Sequence, residues 1–305
     1  MCISFWNSSN AAASTAGVSH FGEQRDMSGQ SRGCMTRRAG LVRMAIGIAY
    51  GCGQLGCRSA PMTGRKQLLM MPETQELSLG QQTFQEVTSD VQESSNARFR
   101  ELVSRVGHRI AAVSGRGDYQ WEFRVLASDE QNAFCLPGGK VAVYEGILPV
   151  CQNEAGLAVV MSHEVAHALA RHGGERMSQN AAVDGVKTVV GYAMQNQDQM
   201  RREAAMRAYG IASEYGVLLP YSRKHELEAD HIGVMLMAQA GYDPAEAPRF
   251  WNRFGQAMSA DGKPPEFMST HPSDERRASE LTKLLPTAQG HFAKATSPVG
   301  LGEVI

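Results

Sequence analysis

The sequence predicts an α+β fold, mainly helical, with a small antiparallel sheet beside one unusually apolar helix. Three observations predict it. Helix-period apolar patterns recur over most of the body. Strand-like alternation is confined to residues 121–144. The helix that follows, over 154–171, is apolar on nearly every face yet contains His163-Glu164-x-x-His167. The 305 residues, 43% apolar and 20% charged, suit one large globular domain or two small ones. The net charge of −1 offers no electrostatic case for nucleic acid. No apolar run is long enough to span a bilayer, and no internal repeat is visible.

Residues 1–34, rich in Ser, Gly, Ala and Asn, read as a disordered or non-native extension. Residues 35–57 read as an export signal: Arg37, Arg38 and Arg43 precede a short apolar stretch that ends at Gly56-Cys57. Without the extension this leader is compact, so translation is expected to begin at Met35. Leu55-Gly56-Cys57 resembles a bacterial lipoprotein cleavage box with Cys57 as the lipidated residue, although Gln54 stands where an aliphatic residue is usual. The expected location is therefore the bacterial envelope, either periplasmic or held to the membrane by lipid. Of six cysteines, only Cys135 and Cys151 lie beyond this leader. They could pair, or each could serve as a small buried apolar side chain.

The body is expected over 58–288, opening with a linker over 58–72. Helices follow over 78–91 and 97–113, the second marked by Phe99, Leu102, Val103, Val106, Ile110 and Val113. Strands are expected over 121–126 and 140–144, with a short third over 132–136, and Pro137-Gly138-Gly139 as a turn. Residues 173–222, weakly periodic and rich in Gly, Gln, Met and Ala, are expected either as a mobile lid or as surface helices. Asp243-Pro244-Ala245-Glu246 reads as a helix start. Phe250, Trp251, Phe254 and Met258 form an apolar stripe, and a last helix runs from Thr270-His271-Pro272 to about Leu285. Residues 289–305 read as a loose tail.

Positions four apart on a helix differ by only about 40° around the axis. His163 and His167 therefore stack on one face, at the separation that two imidazoles need to hold one metal ion. Glu164 flanks them as a general base. Burying two imidazoles and a carboxylate without partners would cost several kcal/mol, which a metal offsets. A third ligand is expected from a second helix. Glu226 and Asp230 share a face there, so Glu226 can ligate while Asp230 accepts the second ring N–H of a ligand histidine. Glu228 lies about 160° round from Glu226–Asp230 by the helical repeat and is expected to face solvent. His225 and His231 have the wrong phase. His172 is out of register for the pattern HExxHxxGxxH, and is expected as a helix C-terminal histidine held by the dipole.

These residues resemble the gluzincin peptidases of the HtpX heat-shock protease, the CAAX prenyl endopeptidases, the mitochondrial overlapping-activity protease and the BepA protease. The resemblance runs from about Cys57 to Leu285. It takes in Pro61-Met62-Thr63-Gly64-Arg65, Asn132-Ala133-Phe134, Leu136-Pro137-Gly138-Gly139, Ser222-Arg223 and Thr270-His271-Pro272 with Arg277. Cys135 departs from it, standing where Ala or Gly is commoner. The resemblance implies a zincin-like peptidase fold, one zinc ion per chain on His163, His167 and Glu226, and His271 and Arg277 beside the metal as stabilisers of the oxyanion; Tyr221 is a further candidate. An edge strand over Gly139, Lys140, Val141, Ala142, Val143 and Tyr144 is expected to pair with the substrate backbone. That implies extended or unfolded polypeptide substrates and a role in protein quality control. The rival expectation is a latent zinc-binding, chaperone-like protein in which His271 takes the fourth metal position.

Overall fold

The computed structural model describes residues 57–261, 267–268, 271 and 275–305. The extension and the leader up to residue 56 lie outside the described residues, as do Thr270 and Pro272.

The expected linker begins instead as a hairpin. Strand β1 (Cys57–Ser59) pairs antiparallel with β2 (Lys66–Leu68), and Met62 and Gly64 take positive φ in the turn between them. Helix α1 (Glu73–Asp90) starts earlier than the apolar pattern indicates because its first turn is polar; Glu73 and Glu76 suit the positive end of the dipole. Helix α2 (Ala97–Val113) forms as expected. The Asn96 side chain accepts from the backbone N–H groups of Arg98 and Phe99, and Leu102, Val103, Val106 and Ile110 form the buried face.

Strands β3 (Glu122–Leu126), β4 (Ala133–Leu136) and β5 (Lys140–Tyr144) form one sheet in the order β3-β5-β4. The β4–β5 pair is antiparallel around the Pro137-Gly138-Gly139 turn, and the β3–β5 pair is parallel. β5 therefore lies in the middle, hydrogen-bonded on both edges, and cannot be the edge that receives a substrate. Alternation in a sequence shows which face a side chain takes, but not which strand ends a sheet. The outer strand on the β4 side is β4 itself, which packs against the helix described next.

Helix α3 (Glu154–Leu169) is the centre of the molecule: every residue of it except His167 is buried. Helix α4 (His172–Ala193) and helix α5 (Gln199–Ser213) follow, then a π-helical stretch over Glu214–Leu218. This is the segment expected as lid or surface helices. α5 has no buried residue. Helix α6 (Leu219–Gln239) packs along α3, α7 (Glu246–Asp261) packs against α3, and α8 (Glu275–Phe292) packs against α6 and α7. Phe250, Trp251 and Phe254 of α7 are core residues, as the stripe implied. Cys135 and Cys151 are buried and form no disulfide with each other.

The expected loose tail is a correction. α8 continues through Pro286 to Phe292, and the chain then folds back onto the start of α3. The first backbone N–H groups of a helix have no partner within it. Here Glu154 N–H donates to the Glu303 carbonyl and Ala155 N–H to the Leu301 carbonyl, at 2.9 and 3.0 Å. Arg98 and Arg105 hold the Glu303 carboxylate at 2.8 Å each. The tail thus caps the central helix, which no apolar pattern in it would announce.

α3 and α6 approach closely at one glycine. A Cβ on Gly233 would meet the backbone N and Cα of His163 at 3.1 and 3.2 Å. The missing side chain lets α6 bring Glu226 and Asp230 up to α3. Gly233→Ala is expected to cost roughly 1–3 kcal/mol in urea unfolding of the metal-free protein. Gly210→Ala, at a helical glycine with open space around it, should be neutral or stabilising by up to about 1 kcal/mol. Wild-type stability in Gly233→Ala would refute the close packing.

Candidate active site

His163 and His167 project from one face of α3 with their Nε2 atoms 3.1 Å apart and their rings crossed edge to face. From α6, Glu226 places Oε2 3.3 Å from His163 Nε2 and Oε1 3.5 Å from His167 Nε2. His271 adds a third imidazole, with Nδ1 3.3 Å from His163 Nε2 and 3.0 Å from Glu226 Oε2. One ligating atom from each of these four residues lies within 4.8 Å of all the others. Two ligands on a tetrahedral zinc, each at about 2.0–2.1 Å, stand about 3.3 Å apart. The donor atoms here have that spacing.

The electrostatics also call for a cation. Burial disfavours charge on both His163 and Glu226, yet each is driven towards its ionised form. Burial alone would lower His163, but Asp230 and Glu226 push it up to about 9. Burial alone would raise Glu226, but His271, His167 and His163 hold it well below the usual carboxylate range. His167 stays neutral: burial takes it well below its ordinary value. Among the described residues, buried Glu226 Oε1 has no hydrogen-bond partner. The residues fit a zinc ion. Glu164 lies beside the cluster, Oε1 3.3 Å from His271 Nε2, and burial pushes its carboxyl up in spite of His271 and His163. A carboxyl raised in this way is suited to exchanging protons.

Each histidine of α3 has its own support. His163 Nδ1 lies 3.0 Å from Asp230 Oδ1, as the one-turn spacing of Glu226 and Asp230 predicts. Arg277 grips both oxygens of Asp230 at 2.7 and 2.8 Å, lies 3.4 Å from Glu226 Oε2, and stacks on Trp251 with its guanidinium carbon 3.8 Å from the ring centroid. Arg277 is thus buried behind the ligands, holding Asp230. Tyr221 sits at the start of α6, 6.4 Å ring to ring from His225 and with Lys224 over its face.

His167 is supported by residues that sequence reasoning misplaced. α3 ends before His172, because Arg171 takes φ 53° and turns the chain into α4. Two Arg171 hydrogen bonds to Glu76, at 2.9 and 2.7 Å, pin that turn, and a Cβ on Gly174 would occupy the position of the Glu76 carboxylate. His172 is therefore the first residue of a new helix, buried, with Nδ1 2.9 Å from His167 Nδ1. It does not cap a helix C-terminus. Burial lowers it to about 4, so it is neutral at pH 7. Its Nε2 lies 3.0 Å from Glu228 Oε2. Glu228, expected to face solvent, is buried beneath the β1–β2 turn, where Arg65 Nε donates to it at 2.7 Å and Thr63 Oγ1 donates as well. Burial would raise Glu228, but His172, Arg65 and Thr63 hold it down at about 2. Arg65 also grips Glu175 at 2.8 and 2.6 Å, and Glu175 meets His225 Nε2 at 3.0 Å. Helical phase places Glu228 on the side of α6 away from Glu226. It could not show that the N-terminal hairpin covers that side.

Two histidines and a glutamate converging from two buried helices, with a second glutamate alongside, define a zinc metallopeptidase of the His-Glu-x-x-His class. The chain belongs to Peptidase family M48, which matches residues 96–285. It is similar to the mitochondrial metalloendopeptidase OMA1 of Schizosaccharomyces pombe, 39% identical over 232 residues that make up 75% of this chain and 66% of that protein. The human metalloendopeptidase OMA1 is 31% identical over 244 residues, 75% of this chain and 46% of that one. The beta-barrel assembly-enhancing protease of Yersinia pestis is 25% identical over 231 residues, 72% of this chain and 48% of that one. The chain thus spans between about half and two thirds of the length of these relatives. No helix among the described residues is long and apolar enough to cross a membrane.

Proposed function

We propose that the chain is a zinc-dependent endopeptidase that cleaves unfolded or misassembled polypeptides of the bacterial envelope. The observation that carries this reading is the buried Glu164 carboxyl beside the convergent His163, His167 and Glu226, with its pKa raised. Zinc, when bound, supplies a Lewis acid for the scissile carbonyl and acidifies water. Glu164 takes the proton of the attacking water and passes it to the leaving amine. Asp230 holds the His163 ring through Nδ1, and Arg277 holds Asp230. Extended substrates pair with an outer strand, and the outer strand packed against α3 is β4 over Ala133–Leu136. Backbone pairing of this kind reads conformation more than sequence, which suits quality control.

The position of His271 favours a restrained enzyme. Its Nδ1 stands among the ligand atoms and its Nε2 faces Glu164. With zinc held by His163, His167 and Glu226, an imidazole in that position would join the ligand set in place of water, and it already faces the base. The same residue, moved outwards, could stabilise the oxyanion. Export with lipid on Cys57 is supported by the Arg37-Arg38-Arg43 leader and Gly56-Cys57. It is also supported by the likeness to an assembly-enhancing protease of a Gram-negative bacterium.

Four measurements test this reading. His163→Ala, His167→Ala and Glu226→Ala are each expected to lose the single zinc in elemental analysis. Glu164→Gln should keep zinc yet lose roughly 10²–10⁴ in casein cleavage, and full activity in that variant would end the mechanism. His271→Ala should raise basal cleavage; a fall of roughly 10²–10³ would instead assign His271 to the oxyanion, and no change would remove it from both roles. Metabolic labelling with a clickable fatty acid should mark the wild type and not Cys57→Ser, and an intact mass that retains residues 1–56 in the native host would refute export.

A further inference from the structure

We propose that Arg65, Glu228 and His172 form a positioning chain that fixes the tautomer and orientation of His167, so that the N-terminal β1–β2 hairpin is a working part of the metal centre. The inference rests on the zinc-site reading above and deepens it. It starts from hydrogen-bond direction. His167 turns Nε2 towards His163 and Glu226. A neutral histidine that ligates through Nε2 carries its proton on Nδ1. Among the described residues its hydrogen-bond partner is His172 Nδ1, at 2.9 Å. His172 must then accept on Nδ1 and carry its own proton on Nε2. That proton points at Glu228 Oε2, 3.0 Å away, and a carboxylate can only accept it. The direction of each bond is thus set by the next, outwards to Glu228.

Glu228 is fixed in turn from the other side. Arg65 reaches it with Nε at 2.7 Å, while its two terminal nitrogens hold Glu175. Glu175 accepts from Gln67 at 3.0 Å, and Gln67 also donates to the Ala170 carbonyl at 2.5 Å, at the end of α3. His225, bound to Glu175, stacks flat on His172 with ring centroids 4.2 Å apart. The support is therefore a closed ring: Arg65, Glu175, His225, His172 and Glu228. His163 is served by a carboxylate directly, through Asp230, whereas His167 is served by a carboxylate through an intervening imidazole. Without His172 in this tautomer, His167 is free to put its proton on Nε2, where it cannot ligate.

The test uses the full chain and zinc itself. Zinc affinity is measured by chelator competition on wild type, Arg65→Met, His172→Phe and His172→Gln, with urea unfolding of the metal-stripped proteins alongside. His172→Phe keeps the ring that stacks on His225 but removes the acceptor; His172→Gln restores a carbonyl acceptor. Arg65→Met and His172→Phe are expected to weaken zinc roughly 10–100-fold, with part of the loss recovered in His172→Gln. A merely structural role would lower the urea midpoint and leave the zinc affinity of the folded protein unchanged. Wild-type affinity in folded His172→Phe overturns the proposal, whatever Arg65→Met does. A wild-type protein that binds no zinc would instead overturn the active-site reading, so the two failures are distinct.

Discussion

The structure depends on the burial of α3. A helix buried over fifteen of its sixteen residues carries two imidazoles and a carboxyl into the core, where each polar group without a partner costs several kcal/mol. Everything packed around it supplies what those groups need. The tail takes the first N–H groups at one end, and the β1–β2 hairpin and α1 take the last carbonyl and the turn at the other. α6 brings carboxylates to the face between. The close approach at Gly233 is what makes that last delivery possible.

The charges are layered. Three imidazoles and Glu226 form the inner set, Asp230, His172, Glu164 and Arg277 touch them, and Glu228, Arg65 and Glu175 lie outside. Signs alternate outwards on both flanks: carboxylate and then guanidinium behind His163, neutral imidazole, carboxylate and guanidinium behind His167. Removing one partner of a buried pair of this kind typically costs about 3–5 kcal/mol, because it leaves the other charge uncompensated. The layering keeps the rings at fixed orientations, which a metal ligand needs more than it needs flexibility. Mobility has to be sought elsewhere, and α5, with no buried residue, is the least constrained of the described helices.

The sheet sets how a polypeptide can reach this centre. Because β3 pairs with β5 in parallel, β5 is enclosed, and the hairpin partner β4 becomes the outer strand beside α3. His167, at 14% side-chain exposure, is the more open of the two α3 histidines, against 2% for His163.

Much of this was legible in the sequence, and the reason is local. Helix and strand periods, the stacking of His163 on His167, and the shared face of Glu226 and Asp230 all follow from the geometry of a single element. Those residues converge as the spacing says they should, and α2 and β5 keep their expected bounds. What the sequence could not determine are relations between elements. Glu228 faces away from Glu226 in helical phase, but only tertiary packing decides that this side is covered by Arg65 rather than by water. Arg277 is near the metal site as expected, but only tertiary packing seats its guanidinium on Asp230 and over Trp251. His172 reads as the end of one helix until the positive φ of Arg171, held by Glu76 from a distant helix, makes it the start of another. Strand order and the docking of the tail are of the same kind. Each depends on which hydrogen-bonding groups another part of the chain leaves open, and that is fixed only when the parts meet.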